Sequence, residues 1–317
     1  MELSIVVPVF NEEENIEPLV GEIRGALAPL KKSYEVIAVD DGSGDRTFAV
    51  LSRLHRCDPT INVIRLKRNF GQTAALAAGL AYASGEIVVL MDGDGQNDPA
   101  DIPALLGKIE EGNDMVAGWR FHRQDPFLSR RLPSMIANRL ISWTTKVKLH
   151  DYGCTLKAMR TEIAKSLRLY GEMHRFIPAI AYERGARIAE IKVNHRPRLR
   201  GASKYGITRT LRVILDLLTV KFLSSYSTRP AHVFGPIGII SGFAGFLIAL
   251  YLTAQKFAYD VDIGNRPLLL LSILLIFIGF QFVTMGLLGE MLARTYHESQ
   301  DRAVYVIGEV LRGGGEI

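Results

Sequence analysis

The 317 residues predict an α/β fold, a mostly parallel sheet with helices on both faces, followed by two membrane-spanning helices. Three observations carry that expectation. Over the first 120 residues, apolar runs of strand length alternate with segments of helical period, the pattern of a doubly covered parallel sheet. Each run ends in a polar cluster: NEEEN, DDGSGD, RNFGQ, DGDGQNDP and GWR. Near the C-terminus, residues 233–254 and 268–289 each form 22 positions without Asp, Glu, Lys or Arg.

The elements follow in order. Residues 3–9 read as a strand, and Ile16, Leu19, Val20, Ile23 and Leu27 mark one face of a helix that Asn15 is placed to cap. Strands are expected at 35–39, 62–66, 86–91 and 114–118, with helices at 46–55, 72–82 and 102–111 between them. Beyond residue 120 the pattern predicts helices at 133–146 and 161–169 and a strand at 186–193. In 206–226, Ile207, Leu211, Ile214, Leu215, Leu218 and Phe222 share one helical face while Arg209, Arg212, Asp216 and Lys221 take another. That pattern suits a helix lying in a membrane interface; a surface helix packed on the domain is the alternative. The two uncharged stretches exceed the roughly 20 residues that a helix needs to cross hydrocarbon, and buried helices of a soluble protein rarely stay apolar on every face for six turns. The expected organisation is a catalytic domain at 1–205, an amphipathic segment at 206–230, a hairpin at 231–290 and a cytoplasmic tail at 291–317.

Composition narrows the class. At 48% hydrophobic and 22% charged residues the chain has apolar surface enough for a core, which excludes global disorder. Mean hydropathy is +0.14, and the excess sits near the C-terminus. The formal charge is +5, yet residues 191–230 hold nine Lys or Arg and one acid, which leaves the remainder of the chain at −3. A basic belt abutting an apolar span favours an anionic lipid surface or lipid phosphate over nucleic acid. By the positive-inside rule the belt, with Arg294 and Arg302, places both termini in the cytoplasm. The N-terminus opens on LSIVVPVF without a basic region and apolar stretch before it, so no cleavable signal is expected. Cys57 and Cys154 stand in no metal or redox pattern, which predicts packing roles.

The motifs then point to chemistry. No GxGxxG follows the first strand and no GxxxxGK[ST] occurs, so neither a dinucleotide site nor a P-loop is expected. Asp92-Gly-Asp94-Gly-Gln96 follows an apolar strand and presents two carboxylates and an amide at its carboxyl end. Oxygen ligands so spaced suit Mg²⁺ or Mn²⁺ shared with a substrate diphosphate, although a bare D-x-D also occurs in Asx turns. Asp40-Asp41-Gly42-Ser43 ends the preceding strand in the same way, where acids can accept from a nucleoside and glycines let the backbone approach. Helix capping by Asp45 is the plainer role for part of that loop. His122, His150, His174 and His195 show no ligand spacing and receive no role.

Together PVFNEEEN (8–15), DDGSGDRT (40–47), RNFGQ (68–72), DGDGQNDP (92–99), DYGC (151–154) and RLRGASKY (198–205) resemble the family 2 polyprenyl-phosphate glycosyltransferases, the dolichol-phosphate mannose synthase-like group with a GT-A domain. RQD at 123–125, DYGCTLKAMR and FIGFQFVTMGLLGE at 277–290 are most similar to its bacterial undecaprenyl-phosphate branch, which includes the 4-deoxy-4-formamido-L-arabinose transferase. The resemblance spans nearly the whole chain. It implies that Pro8, Phe10, Glu12, Asp40 and Asp41 surround the nucleoside. Asp92 faces the nucleotide-sugar, and Asp94 and Gln96 hold the cation. Arg120, Arg130, Arg198, Ser203 and Lys204 match positions for lipid phosphate or sugar diphosphate, Arg198 and Lys204 with Asp92 and Asp151 forming the catalytic set. Asp151 is expected to orient substrate; general base and local cap are the alternatives. The group often reads D-A-D-x-Q, and Gly93 and Gly95 depart from it, which predicts a looser loop.

The implied activity is metal-dependent, inverting transfer of a sugar, UDP-linked by expectation, to undecaprenyl phosphate at the cytoplasmic membrane face, by a homo-oligomer. Its rivals are a GDP-mannose-using enzyme of the dolichol-phosphate mannose synthase type, a processive polysaccharide synthase and a non-catalytic nucleotide-sugar sensor. The second expects a Q-x-x-R-W pattern, which precedes neither Trp119 nor Trp143.

Overall fold

The computed structural model describes residues 1–121, 142, 147–169, 173–196, 231–259, 262, 266–299 and 305–313. Two compact units emerge, Met1–Leu217 with Ala303–Ile317, and Leu218–Arg302. In the first, strands β1 (Leu3–Val9), β2 (Tyr34–Asp40), β3 (Ile61–Leu66), β4 (Ile87–Leu90) and β5 (Met115–Arg120) alternate with helices α1 (Ile16–Leu27), α2 (Thr47–Cys57), α3 (Gln72–Tyr82) and α4 (Ile102–Glu110). These elements match the sequence expectation to within about three residues at each end. After them come β6 (Lys157–Arg160), α5 (Thr161–Ser166), α6 (Ile177–Glu183), β7 (Ile188–Val193) and, beyond the second unit, β8 (Ile307–Leu311).

The strand order is β7-β5-β6-β4-β1-β2-β3-β8. Strands β4, β1, β2 and β3 run parallel, as do β5 and β7, while β6 and β8 are antiparallel to their neighbours. The chain winds outward from β1 through β2 to β3, then restarts on the other side of β1 with β4. That reversal makes the crevice beyond the carboxyl ends of β1 and β4 a topological switch point, where open α/β sheets bind ligands. The tails of these two strands are PVFNEEEN and DGDGQNDP.

Packing fixes the rim. Leu3, Ile5, Val7 and Val9 of β1 are buried with Ile16, Leu19 and Ile23 of α1 and Leu105, Leu106 and Ile109 of α4. Each such side chain contributes about 1.5–3 kcal/mol by leaving water. On the other face α3, rich in alanine, lies so near β1 that a Cβ on Gly79 would stand 2.2 Å from Val6 Cγ1. Close seating of α3 delivers Gln72, its first residue, to the rim. At the opposite ends of the strands, buried Glu35 accepts from Ser4 Oγ at 2.7 Å, Ser84 N at 2.8 Å and Asn62 Nδ2 at 2.7 Å.

Several expectations are corrected. Asn15 stands at the start of α1 but its side chain makes no cap; Nδ2 donates to Glu12 Oε2 at 2.6 Å instead. The short strand KAMR of β6 was not foreseen, nor was α6. The helix expected at 161–169 ends at Ser166. The C-terminal segment, for which the sequence analysis named no strand, adds β8 to β3 of the same sheet, with Arg65 opposite Glu309. Cys154 is buried in the core as expected, and burial pushes its thiol up to about 11; Cys57 is exposed and packs nothing. The helix expected at 133–146 and the amphipathic segment at 206–226 lie outside the described residues.

The second unit contains α7 (Ala231–Tyr259) and α8 (Pro267–Ser299). Within them 234–259 and 267–289 have mean hydropathies of 2.0 and 2.5, long and apolar enough to cross a membrane. Only 17% and 11% of their most apolar windows are buried, unlike the core helices of a soluble protein. The two pack antiparallel through glycine: a Cβ on Gly238 would lie 2.6 Å from the Gly279 carbonyl oxygen, and one on Gly245 would lie 2.6 Å from that of Ser272. Small residues let backbones approach where lipid offers no hydrophobic drive.

Candidate functional site

One side of the rim is built from three interlocked loops. Two residues after β1, Asn11 takes φ +54° and accepts from Gly44 N at 2.8 Å, while its own N donates to Ser43 Oγ at 2.9 Å. Glu12 N donates to Thr47 Oγ1 at 2.9 Å. Asp41 then holds the RNFGQ loop: its two carboxylate oxygens accept from Phe70 N at 2.7 Å and Gly71 N at 2.9 Å. Gly42, at φ +70°, lies against that loop so closely that a Cβ would meet Arg68 C at 2.4 Å. Only glycine fits both the angle and the gap.

Asp40 is fully buried; one oxygen accepts from Ser43 N at 2.9 Å. The other has no hydrogen-bond partner among the described residues and stands 3.7 Å from Arg65 Nε, whose guanidinium lies over the Phe48 ring. Asp45 accepts from Thr47 N at 2.9 Å, so the helix-start role foreseen as the plain alternative is present. Both aspartates of the DDGS motif therefore shape the loop, and Asp41 orients the backbone beside it. Burial pushes the Asp41 carboxyl up, against the pull of the two amides, and neighbouring Asp40 adds to the push.

The DGDGQ loop closes onto β1 at the switch point. A Cβ on Gly93 would lie 2.6 Å from Val9 Cγ1 and 3.0 Å from the Pro8 carbonyl oxygen, so this glycine seats the loop rather than loosening it. Asp92 accepts from Gln72 Nε2 at 2.7 Å, and its N donates to Asn97 Oδ1 at 3.0 Å. Burial first, then the charge of Asp94, pushes the Asp92 carboxyl up to about 6, with Thr155, Lys157 and Arg120 pulling it down. Asp94 accepts from Gln96 N at 3.1 Å. Beyond the loop, Gln96 O accepts from Arg196 N at 3.0 Å, and Arg196 Nη2 meets Asp98 Oδ1 at 2.7 Å. The chain thus enters its cationic segment from a point bonded to Gln96.

Two neighbouring carboxylates, the charge of Asp94 adding to the upward push on Asp92, with an amide two residues on, form an oxygen set that a hard divalent cation suits. Among the described residues no group of three or more His, Cys, Asp or Glu converges, so such an ion needs substrate oxygens and water to complete its shell.

At the end of β5, Arg120 and Asp151 meet: Nε to Oδ2 is 2.7 Å and Nη2 to Oδ1 is 3.0 Å. The fork is bidentate, both side chains are largely buried, and Arg120 is held charged by its partner against the burial that opposes it. Arg120, expected on acceptor phosphate, is paired with Asp151, which is expected to orient substrate. Arg130, Arg198, Ser203 and Lys204 lie outside the described residues. Pro8, Phe10, Glu12, Asp40, Asp41, Asp92, Asp94 and Gln96 stand at or just beyond the carboxyl ends of β1, β2 and β4.

Sequence reasoning missed four contributors. Gln72 and Asn97 hold Asp92; both sit in motifs already noted, and the amide at a helix start was the available signal. Lys157, fully buried on β6, donates to the Cys154 carbonyl, and burial lowers its proton affinity. Glu190 on β7 accepts from His150 N at 2.9 Å, His150 Nδ1 at 2.7 Å and Asp151 N at 3.1 Å. No local pattern marks either residue.

The chain is similar to known proteins. The sequence profile described as "Glycosyl transferase family 2" matches residues 4–168. Dodecaprenyl-phosphate galacturonate synthase of Rhizobium johnstonii is 45% identical over 98% of this chain and 93% of its own length. Undecaprenyl-phosphate 4-deoxy-4-formamido-L-arabinose transferase of Shewanella sediminis is 37% identical, again over 98% and 93%. Among solved structures, glucosyl-3-phosphoglycerate synthase of Mycobacterium tuberculosis, in complex with Mn²⁺ and UDP-glucose, superposes with a TM-score of 0.54 at 22% identity, covering 69% of this chain and 78% of that one. At that identity the likeness establishes the fold, which is GT-A.

Proposed function

This chain belongs to glycosyl transferase family 2, and from that premise we propose that it transfers a sugar from a UDP-linked donor to a polyprenyl phosphate at the cytoplasmic membrane face. The observation that carries the reading is the acidic switch-point rim, in a chain that also carries two helices long and apolar enough to span a membrane. The relatives named for dodecaprenyl-phosphate and undecaprenyl-phosphate substrates, matched over 98% of the chain, support a lipid-phosphate acceptor. The 45% identity to the galacturonate synthase, against 37% for the formamido-arabinose transferase, makes a UDP-hexuronate the first donor to test.

In this reading the loops at 8–12 and 40–43 receive the nucleoside, and Asp92, Asp94 and Gln96 face the diphosphate. Asp94 and Gln96, with Asp92 behind them, are the residues that hold a divalent cation. When bound, that cation supplies charge neutralisation for the leaving diphosphate. Gln72 and Asn97 fix Asp92 in place, and Gly93 seats the loop against β1. The acceptor needs no general base: a phosphomonoester with a second pKa of about 6 is largely a dianion at neutral pH. Its oxygen attacks the anomeric carbon opposite the departing diphosphate, with inversion, and catalysis rests on positioning and electrostatics. Arg198, Ser203 and Lys204 follow the Arg196 clasp and are proposed to meet the acceptor phosphate; Arg130 joins them.

The test is full-length protein with undecaprenyl phosphate and radiolabelled UDP-galacturonate, UDP-glucose and UDP-4-deoxy-4-formamido-L-arabinose. A labelled product that extracts into organic solvent, is released by mild acid and disappears in Asp94→Ala supports the reading. Full activity of Asp94→Ala refutes the metal assignment, and a water-soluble polymer supports a processive synthase instead.

A further inference from the structure

Strand β7 ends at Val193, and the three residues beyond it stay against the rim. They run antiparallel to the end of the DGDGQNDP loop: Asn97 and His195 form an isolated β-bridge, and Arg196 N donates to the Gln96 carbonyl at 3.0 Å. Side chains close the contact. Arg196 Nη2 meets Asp98 Oδ1 at 2.7 Å, Asn194 Nδ2 donates to Asp98 Oδ2 at 3.0 Å, and Asn194 N donates to Asp101 Oδ2 at 2.7 Å. The other arm of the Arg196 guanidinium, Nη1, donates to Glu22 Oε2 on α1 at 2.7 Å. Asn97 and Asp98 are buried, and a charge-assisted bond holds best where water is scarce.

The loop is therefore held at both ends. At its start Gly93 sits against Val9 and the Pro8 carbonyl, with no room for a Cβ. At its far end Asn97 is fixed twice, by Asp92 N, which donates to its Oδ1 at 3.0 Å, and by the bridge to His195. Between these anchors stand Asp94 and Gln96, the side chains assigned above to a divalent cation, and Gly95 at φ +73°, with nothing within 4 Å of where its Cβ would lie. Glycine in open space lets the span flex unless its ends are pinned. Gln96 is held through its own N, which donates to Asp94 Oδ1 at 3.1 Å, and through its carbonyl, which accepts from Arg196. A ligand side chain keeps its reach only while the residues behind it hold its backbone.

We propose, resting on the cation site of the function proposed above, that Arg196 and Asn194 are positioning residues for that site. By clasping Asp98 from both of its carboxylate oxygens they keep the Gln96 carbonyl on the extension of β7, and so fix the placement of Asp94 and Gln96 that a divalent cation meets. Neither residue is itself a ligand; both act through Asp98 and the Gln96 backbone. The loss of a partner of this kind is read in metal affinity, by about ten- to a hundredfold.

Electron paramagnetic resonance of free Mn²⁺ tests this without turnover. Full-length protein in detergent, saturated with UDP, is titrated with Mn²⁺. Arg196→Met and Asn194→Ala are each expected to weaken the half-saturation point about tenfold, and Arg196→Lys to restore part of the loss, since an ammonium can still pair with Asp98. Two controls remove ion pairs elsewhere and stay within about twofold of wild type: Glu22→Gln, which frees only the Nη1 arm, and Arg187→Met, which removes the 3.2 Å pair with Asp114 at the opposite end of β7. In a Gln96→Ala background, where the ligand side chain is gone, Arg196→Met weakens binding by less than about twofold more, a dependence that a role in stability alone does not produce. Half-saturation within about twofold of wild type in both Arg196→Met and Asn194→Ala overturns this inference alone, as does full additivity of Arg196→Met with Gln96→Ala. Wild type that takes up no Mn²⁺ in the presence of UDP overturns the cation reading and this inference together.

Discussion

Removing the Asp151 carboxylate is expected to destabilise the catalytic unit sharply and to do so through Arg120. The pair is bidentate at 2.7 and 3.0 Å, with 16% of the Arg120 side chain and 3% of the Asp151 side chain exposed. Breaking such a pair from one side leaves a buried charge without its partner, which costs about 3–5 kcal/mol. For a unit of this size each kcal/mol moves Tm by about 2–4 °C, so Asp151→Ala is predicted to lower Tm by roughly 6–20 °C. Replacing both residues by apolar ones, Arg120→Met with Asp151→Leu, removes the stranded charge and recovers most of the loss. Differential scanning fluorimetry of wild type, Arg120→Met, Asp151→Leu and the double variant in one detergent gives the coupling. The reasoning fails if Asp151→Ala unfolds within about 1 °C of wild type, or if the double variant is as unstable as the two single losses added.

Further predictions follow from other contacts. Gly42→Ala places a Cβ 2.4 Å from the Arg68 backbone at φ +70°, so it should lower Tm and weaken UDP binding together, as read by thermal melting and calorimetry. Deleting 305–317 uncovers the β3 edge and removes the Lys67 N to Val306 O bond; size-exclusion chromatography should show aggregation that Glu309→Gln alone does not cause. Burial pushes the Asp98 carboxyl up, but Asn194, Ala100 N and Arg196 outweigh it and hold it below the usual range. Its stabilising contribution is therefore complete above the ordinary carboxylate value and is lost as pH falls through the lowered one. Arg196→Met should lower Tm at pH 7 and shrink the Tm difference between pH 7 and pH 3. Gly279→Leu drives a side chain into the Gly238 and Gly242 backbone and should separate the two apolar helices, measurable as lost cysteine cross-linking between them.

What the sequence disclosed, and what it withheld, has a physical pattern. Strands β1 to β5 are largely apolar runs, and the segments at the carboxyl ends of β1, β2 and β4 carry the acids, so periodicity and punctuation located most of the rim. Strand β6 escaped because its four residues begin and end with a cation: Lys157 is buried by tertiary surroundings that no local pattern encodes. The tail had strand character, but which edge it covers is a long-range choice. Arg120 and Asp151 were read separately because they stand 31 positions apart in the chain; only the fold pairs them. Glu190 and Lys192 resemble the solvated face of an edge strand; only the register of β7 beside β5 brings them to Trp119. Gly93, taken as slack, proved to be a point of contact with Val9, a distinction only coordinates make.

The account stands or falls on whether the switch-point carboxylates form a cation-dependent nucleotide site. Isothermal titration of UDP into the purified full-length protein, with Mn²⁺ and with chelator, measures this directly. Binding that requires Mn²⁺ and vanishes in Asp94→Ala, with the Tm of the apo protein unchanged, is the predicted result. UDP that binds equally well in chelator, or equally well to Asp94→Ala, contradicts it.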